Sequence, residues 1–306
     1  MTWKTLGAVG LCLAAGLGFH RGDDRTQHVQ VGGWDRTYLL HVPPNASGAR
    51  PLVVLLHGRL GDGAGEARLS YFDAIADSVG AIVAYPDGYR RSWADGRLGT
   101  PADKAGIDDV AFFRALVADV AAHASVDSSR IYVAGMSNGG FMTERLICDA
   151  SDLIAAAGIV AATLGDSRAG NCHAAFPVPV MTMNGTDDPL VPYQGGTLGG
   201  GRGTVLGAIP SLDEWVHKNG CGESFKAIVL PDTARDGTTI DERVYPCPSG
   251  ADVVGITVMH GGHTWPSGPQ YLPKRMIGVS SRNLDGSRTL WTFFAAHRRT
   301  NMRENR

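Results

Sequence analysis

Neither sign of charge is in excess: the 306 residues carry 28 Lys and Arg against 30 Asp and Glu. A chain with no basic field has nothing to hold a polyanion, so nucleic acid is not an expected partner. Apolar runs of spanning length are missing too. The one continuous stretch, Leu6 to Phe19, is short for a transmembrane helix and is followed by no other, which excludes a multi-span membrane protein. Cysteine is sparse, with five residues and no C-x-x-C pair, and no H-E-x-x-H helix occurs, so zinc and dithiol chemistry have no framework. There is no internal repeat, no low-complexity block and no Pro/Ser-rich linker. Charged residues are 19% of the chain against 43% hydrophobic, the reverse of a disordered composition.

What is present begins at the N-terminus. Lys4, the short apolar run and small residues before His20 and Arg21 read as a secretory signal over residues 1–20. Cys12 is a poor lipid-attachment site, because Leu11 precedes it and the apolar run continues beyond it. A secreted or periplasmic protein without a stable membrane partner is expected. Removal of the leader leaves Cys148, Cys172, Cys221 and Cys247. An even count in an exported chain points to two disulfides, and of the three pairings the local one, Cys148–Cys172 and Cys221–Cys247, closes two modest loops.

From about residue 28 to residue 300 the pattern is that of one α/β domain. Leu52–Leu56 and Ala81–Tyr85 are continuous apolar runs, as in strands buried on both faces. Arg36–Val42, Ile131–Ala134, Ile159–Ala162, Val178–Met183 and Val253–Met259 read as further strands. Helical periodicity covers residues 67–79, 108–124, 138–148, 212–218 and 287–297. In the second of these, Phe112, Phe113, Leu116, Val117 and Val120 share a face, and Asp108 and Asp109 are placed for capping. Gly195–Gly203 is expected to be a surface loop. Alternating strands and helices predict a mostly parallel sheet covered on both faces, with ligands at the carboxyl ends of its strands.

Chemistry concentrates at four such ends. Gly135-Met136-Ser137-Asn138-Gly139 is a Gly-x-Ser-x-Gly turn between a strand and a helix, which lifts a serine hydroxyl above the sheet. Ser137 needs a base and the base a carboxylate, in the chain order Ser, acid, His. Asp187 and Asp188 follow the strand ending at Met183, and His260 and His263 follow the strand ending at Met259. The oxyanion needs N–H donors: Asn138 after the nucleophile, and Gly58 or Arg59 in the loop after Leu56. Trp93, Tyr193 and Trp265 stand near these motifs as acyl-pocket candidates, with core packing as the competing role. No metal or organic cofactor is required by this chemistry.

His57-Gly58, Gly135-Met136-Ser137-Asn138-Gly139-Gly140, Gly185-Thr186-x-Asp188-x-x-Val191-Pro192-Tyr193-x-Gly195-Gly196 and Gly262-His263-Thr264-Trp265-Pro266 together resemble the polyhydroxybutyrate depolymerase/feruloyl esterase family of secreted α/β-hydrolases. Tyr85-Pro86-Asp87-Gly88, Ser92-Trp93, Asp108-Asp109-Val110 and Asn219-Gly220-Cys221 add to the likeness, which runs from about Gln30 to His297. The resemblance implies an α/β-hydrolase fold, Ser137 as nucleophile, Asp188 rather than Asp187 as acid, His263 rather than His260 as base, and two disulfides. It also implies small or oligomeric ester substrates such as feruloyl, acetyl or short hydroxyalkanoate esters. Departures stand at Asn184, Arg59 and Ala94, where members usually or often carry His, Cys and Asn. A serine peptidase on the same fold, and a binding protein without turnover, are the competing functions.

Overall fold

The computed structural model describes residues 25–44 and 47–299. The expected signal segment, Cys12 included, lies outside the described residues. Ten of the described strands form one sheet. In chain order the strands are β1 (Arg25–Val31), β2 (Trp34–His41), β3 (Arg50–Leu56), β4 (Ile82–Pro86), β5 (Val126–Met136), β6 (Ala156–Val160), β7 (Val180–Gly185), β8 (Gly196–Thr197), β9 (Thr204–Val205), β10 (Lys226–Leu230), β11 (Thr239–Tyr245) and β12 (Val253–Met259). The main sheet runs β1-β2-β4-β3-β5-β6-β7-β12-β11-β10. Its centre, from β4 to β12, is parallel, and an antiparallel pair extends each edge.

The apolar runs read from the sequence are these central strands. Leu52–Leu56 has no exposed residue, because helices cover it from both sides. One core packs Phe112, Phe113, Leu116 and Val120 of helix Asp109–His123 against Leu52, Val54 and Val133. The other packs Leu290, Phe293 and Phe294 of helix Gly286–Ala295 against Tyr132, Ala134 and Val160. Among the described residues no helix is long and apolar enough to cross a membrane. Two disulfides join Cys148 to Cys172 and Cys221 to Cys247, the local pairing.

Several expectations need correction. The helix expected over residues 67–79 is two, Gly63–Ser70 and Phe72–Val79, because Tyr71 between them is left-handed at φ 52°. Asp108 caps its helix by accepting from the Ala111 N–H, but Asp109 does not cap. Its buried carboxylate instead accepts from Arg36 at 2.8 Å and from the Ala94 N–H at 2.7 Å. The glycine-rich loop 195–203 opens with β8, which pairs with β9. Strands β1, β10 and β11 were not foreseen.

Candidate active site

The carboxyl ends of β3, β5, β7 and β12 gather the residues singled out by sequence. Ser137 follows β5 directly and begins helix Asn138–Asp149, with φ 56° and ψ −119°. That backbone is strained for a residue with a Cβ, and strain of this kind persists only where the surroundings hold it. Here they do. The Ser137 N–H donates to the Val160 carbonyl at the end of β6. The flanking glycines explain the motif: a Cβ at Gly135 would stand 2.5 Å from the Gly139 backbone, and one at Gly139 would stand 1.9 Å from the Leu56 carbonyl oxygen. Strand, helix and the end of β3 therefore meet at contact distances that only glycine permits.

That contact brings the loop after β3 beside the serine. A Cβ at Gly58 would stand 3.5 Å from the Ser137 Cβ. The loop is held by His57, which is buried. Its Nδ1–H donates to the Gly58 carbonyl at 2.7 Å, and its Nε2 accepts from the Gly88 N–H at 2.9 Å. The second bond needs an unprotonated Nε2, and burial lowers the imidazole's pKa in agreement. Leu60 and Gly61 donate their N–H groups to the Arg91 and Gly58 carbonyls, and the N–H groups of Gly58 and Arg59 make no backbone bond of this kind among the described residues. Asn138 opens the helix, where the first N–H groups have no intrahelical acceptor.

The Asn138 side chain has a separate task that sequence reasoning missed. Its Oδ1 accepts from the Trp93 N–H at 2.8 Å, and its Nδ2 donates to Asp95 at 2.6 Å. Asp95 also pairs with Arg97 at 2.6 Å, and both side chains are almost wholly buried. The Trp93 indole donates to the His57 carbonyl at 2.8 Å. Segment 93–97 is thus a brace beneath the turn. Asp95 lies 43 residues from Asn138, so no local spacing announces the link.

Asp188 and His263 form the other half of the site. His263 Nδ1 lies 2.7 Å from Asp188 Oδ2, with side chains only 4% and 2% exposed. Asp188 Oδ1 accepts two backbone N–H groups, from Leu190 and Val191, each at 2.8 Å. The carboxylate is therefore fixed in orientation and aimed at the ring. The His263 N–H donates to the Ile277 carbonyl, and its carbonyl accepts from the Tyr271 hydroxyl at 2.8 Å. Tyr271 too was missed. It lies in a stretch with no regular periodicity to mark it. The neighbours Asp187 and His260 are apart from this pair: they are 3.5 Å from each other, 57% and 69% exposed. Among the described residues the Ser137 hydroxyl has no hydrogen-bond partner. Such contacts often tighten only when substrate is present.

The aromatic candidates divide. Trp93 and Trp265 are each 1% exposed, and the Trp265 indole donates to Ser287 Oγ at 3.0 Å. Neither offers ring surface to a substrate, and their reading as pocket walls is corrected to core support. Tyr193 is half-buried, with its hydroxyl 2.8 Å from Thr257 Oγ1. Helix Gly63–Ser70 also holds a buried carboxyl. Glu66 has no hydrogen-bond partner at Oε1, and burial raises its pKa to about 8. Among the described residues no group of three or more His, Cys, Asp or Glu is placed to hold a metal ion.

Comparison with known proteins places the chain in a family. A family model described as Esterase PHB depolymerase matches residues 36–193. The NocK protein of Nocardia uniformis subsp. tsuyamanensis is 31% identical over 280 residues, which are 87% of this chain and 81% of that protein. Feruloyl esterase B of Piromyces equi is 33% identical over 240 residues, 74% of this chain but only 42% of that longer protein. Among solved structures, an acetyl xylan esterase from Aspergillus awamori superposes with a TM-score of 0.59 over 89% of this chain and 99% of its own, at 16% identity, a likeness of fold. The chain belongs to the Esterase PHB depolymerase family, as a carboxylic ester hydrolase with the α/β-hydrolase fold.

Proposed function

We propose that the protein is an exported serine esterase that works through an acyl-enzyme on Ser137, with Asp188 and His263 as its partners. The observation that carries this reading is the buried Asp188–His263 pair at 2.7 Å, at the same carboxyl end of the sheet as a serine held at φ 56°. His263 Nδ1 keeps its proton on the Asp188 side, which leaves Nε2 as the base. Ser137 Oγ attacks the ester carbonyl and its proton passes to Nε2. Collapse of the tetrahedral intermediate breaks the bond to the alcohol oxygen, which takes that proton. Water, activated by the same nitrogen, then releases the acid. Negative charge on the carbonyl oxygen is met by the N–H of Asn138 and that of Gly58 or Arg59.

The substrate class is a soluble carboxylic ester: a feruloyl, an acetyl or a short hydroxyalkanoate ester. Feruloyl esterase and acetyl xylan esterase names among the relatives support this range. The catalytic domain spans about residues 28–300 behind an export signal over residues 1–20, and the two disulfides suit an oxidising compartment. Two assays test the reading together. Hydrolysis of methyl ferulate, acetylated xylan, hydroxybutyrate oligomers and short 4-nitrophenyl esters defines the acyl preference. Treatment with a fluorophosphonate, followed by peptide mass spectrometry, is expected to place one phosphonyl group on Ser137. Ester turnover with the label elsewhere would refute the assignment.

A further inference from the structure

An indole left in water forgoes one of the largest burial gains of any side chain. Trp34 is 45% exposed all the same. It stands where the hairpin between β1 and β2 turns. Gly32 and Gly33 both have positive φ, at 58° and 82°, and Val31 is paired with Trp34 across them. This tight two-residue turn fixes the first residue of β2. Trp34 meets Tyr89 edge to face, with ring centroids 5.0 Å apart and ring planes at 72°. An edge-on contact covers at most one face of the indole. The Arg90 guanidinium lies over the Tyr89 ring, 5.5 Å from its centroid. Arg90 is exposed, and among the described residues no carboxylate lies within ion-pair distance of it.

The turn that carries Tyr89 and Arg90 is fastened to the loop beside Ser137. Arg90 and Arg91 are both left-handed, at φ 47° and 58°, a conformation that residues with a Cβ keep only where neighbours hold it. The Arg91 carbonyl accepts from the Leu60 N–H at 2.8 Å, and Arg91 Nε donates to the Gly61 carbonyl at 3.2 Å. The Gly88 N–H donates to His57 Nε2 at 2.9 Å. Leu60 is 70% exposed and carries the apolar surface from this turn toward Gly58, where a Cβ would stand 3.5 Å from the Ser137 Cβ. Sheet topology sets the reach. Strand β2 is antiparallel to β4, so Trp34 stands at the carboxyl end of the parallel strands, beyond the Tyr38–Pro86 pair. Strands β4 and β3 lie between β2 and β5, which Ser137 follows. Three strand spacings put Trp34 roughly 15 Å from the nucleophile.

We propose that Trp34, Tyr89 and Arg90 form a glycan-binding platform, on which the enzyme seats a neutral polysaccharide chain whose ester lies at Ser137. The inference rests on the serine-esterase reading and names the larger molecule that carries the ester. A pyranose ring offers a flat face of C–H groups to an indole, and hydroxyls that accept from a guanidinium. A polyester strand has no such flat face, and its backbone bears no hydroxyls. The distance from Trp34 to Ser137 is also too long for one acyl group and a small alcohol, whereas a chain of several sugar units spans it.

Acetylated xylo-oligosaccharides test it. The readout is kcat/KM for mono-acetylated xylohexaose divided by that for mono-acetylated xylose, with hydroxybutyrate hexamer over dimer as the polyester counterpart. The parent is expected to favour the longer glycan by about fivefold or more. Trp34→Ala should bring the glycan ratio close to one, through KM rather than kcat, and Trp34→Tyr should keep most of it. Arg90→Gln, at an exposed position, should lower it as well. The ratio is read on folded protein, so a general loss of activity does not mimic the effect. Retardation of the parent in native gels containing xylan measures the same surface without turnover, and Trp34→Ala should abolish it. A parent glycan ratio within about twofold, a ratio that Trp34→Ala leaves unchanged, or no retardation by xylan would overturn the platform. So would a Trp34→Ala loss confined to the polyester ratio, which would assign the surface to a polyester. If short esters are turned over through Ser137 under any of those results, the esterase reading stands while this inference falls. If no ester is turned over but xylan retards the parent and not Trp34→Ala, the esterase reading falls and the glycan surface stands. With neither turnover nor retardation, both fall.

Discussion

Replacing Asp188 by Asn tests the site without changing its shape, and the structure says what the new amide must do. Asp188 Oδ1 accepts N–H groups from Leu190 and Val191, each at 2.8 Å, while Oδ2 faces His263 Nδ1 at 2.7 Å. An Asn in this pocket keeps its oxygen toward the two backbone donors. The flipped amide would set an NH2 group against two N–H groups and leave both donors unsatisfied, at about 2–6 kcal/mol for two lost partners. The amide nitrogen is therefore driven toward His263 Nδ1, which must then accept. The ring proton moves to Nε2, and the base facing Ser137 is lost. A wrong tautomer of this kind is expected to lower kcat/KM by roughly 10⁴, judged from serine hydrolases generally. Asp187→Asn is the control: its exposed carboxylate lies 3.5 Å from His260, and a change below about twofold is expected. Steady-state kinetics on 4-nitrophenyl acetate, with melting curves to verify folding, measure both. A folded Asp188→Asn enzyme within tenfold of the parent, or an equal loss in Asp187→Asn, would refute the reasoning.

Three further expectations concern the scaffold. Gly139→Ala would place a methyl group 1.9 Å from the Leu56 carbonyl oxygen, so it should cost about 1–3 kcal/mol or more and lower activity by pushing the loop after β3 from Ser137; a variant with the parent's melting temperature and turnover would contradict that packing. Buried Glu66 has its pKa raised to about 8 from 4.5, so the folded state holds a proton that the unfolded state releases between those values. Stability should therefore fall as pH rises from about 4.5 to 8, by at most about 5 kcal/mol, and urea titrations of Glu66→Gln should show a flatter dependence. An equal slope in parent and variant would remove Glu66 from the account. Reduction opens loops with sequence separations of 24 and 26, each worth about 3.5 kcal/mol in the chain-entropy model, so the melting temperature should drop by several degrees; an unchanged melt would show the bridges carry no stability.

The parts legible in the sequence were those with a local physical signature. Strands buried on both faces appear as runs such as Leu52–Leu56, and the tight strand-turn-helix appears as glycines flanking Ser137. The local disulfide pairing, preferred among three because each bridge closes a modest loop, is the one present. Edge strands were not, because β10 is mostly exposed and its residues need not alternate cleanly. The break at Tyr71 carries no Gly or Pro to mark it, and a left-handed tyrosine is set by its surroundings. Burial separates Asp188 from Asp187 and His263 from His260, a distinction that adjacent residues of the same type hide. The braces are hidden for a different reason. Asp109 reaches Arg36 across 73 positions and Asn138 reaches Asp95 across 43, so partner identity depends on the finished sheet. Asp109 beside Asp108 looks like a second cap until the fold buries it.

The central claim is that Ser137 is the nucleophile, and its most direct test is the turnover of Ser137→Ala. The strained turn keeps its glycines, and alanine accepts no more backbone strain than serine does, so the variant should fold with the parent's melting temperature. Its kcat on 4-nitrophenyl acetate is expected to fall by several orders of magnitude, leaving only what the oxyanion donors and binding supply. A pure, folded Ser137→Ala protein that hydrolyses the ester within tenfold of the parent rate would contradict the account.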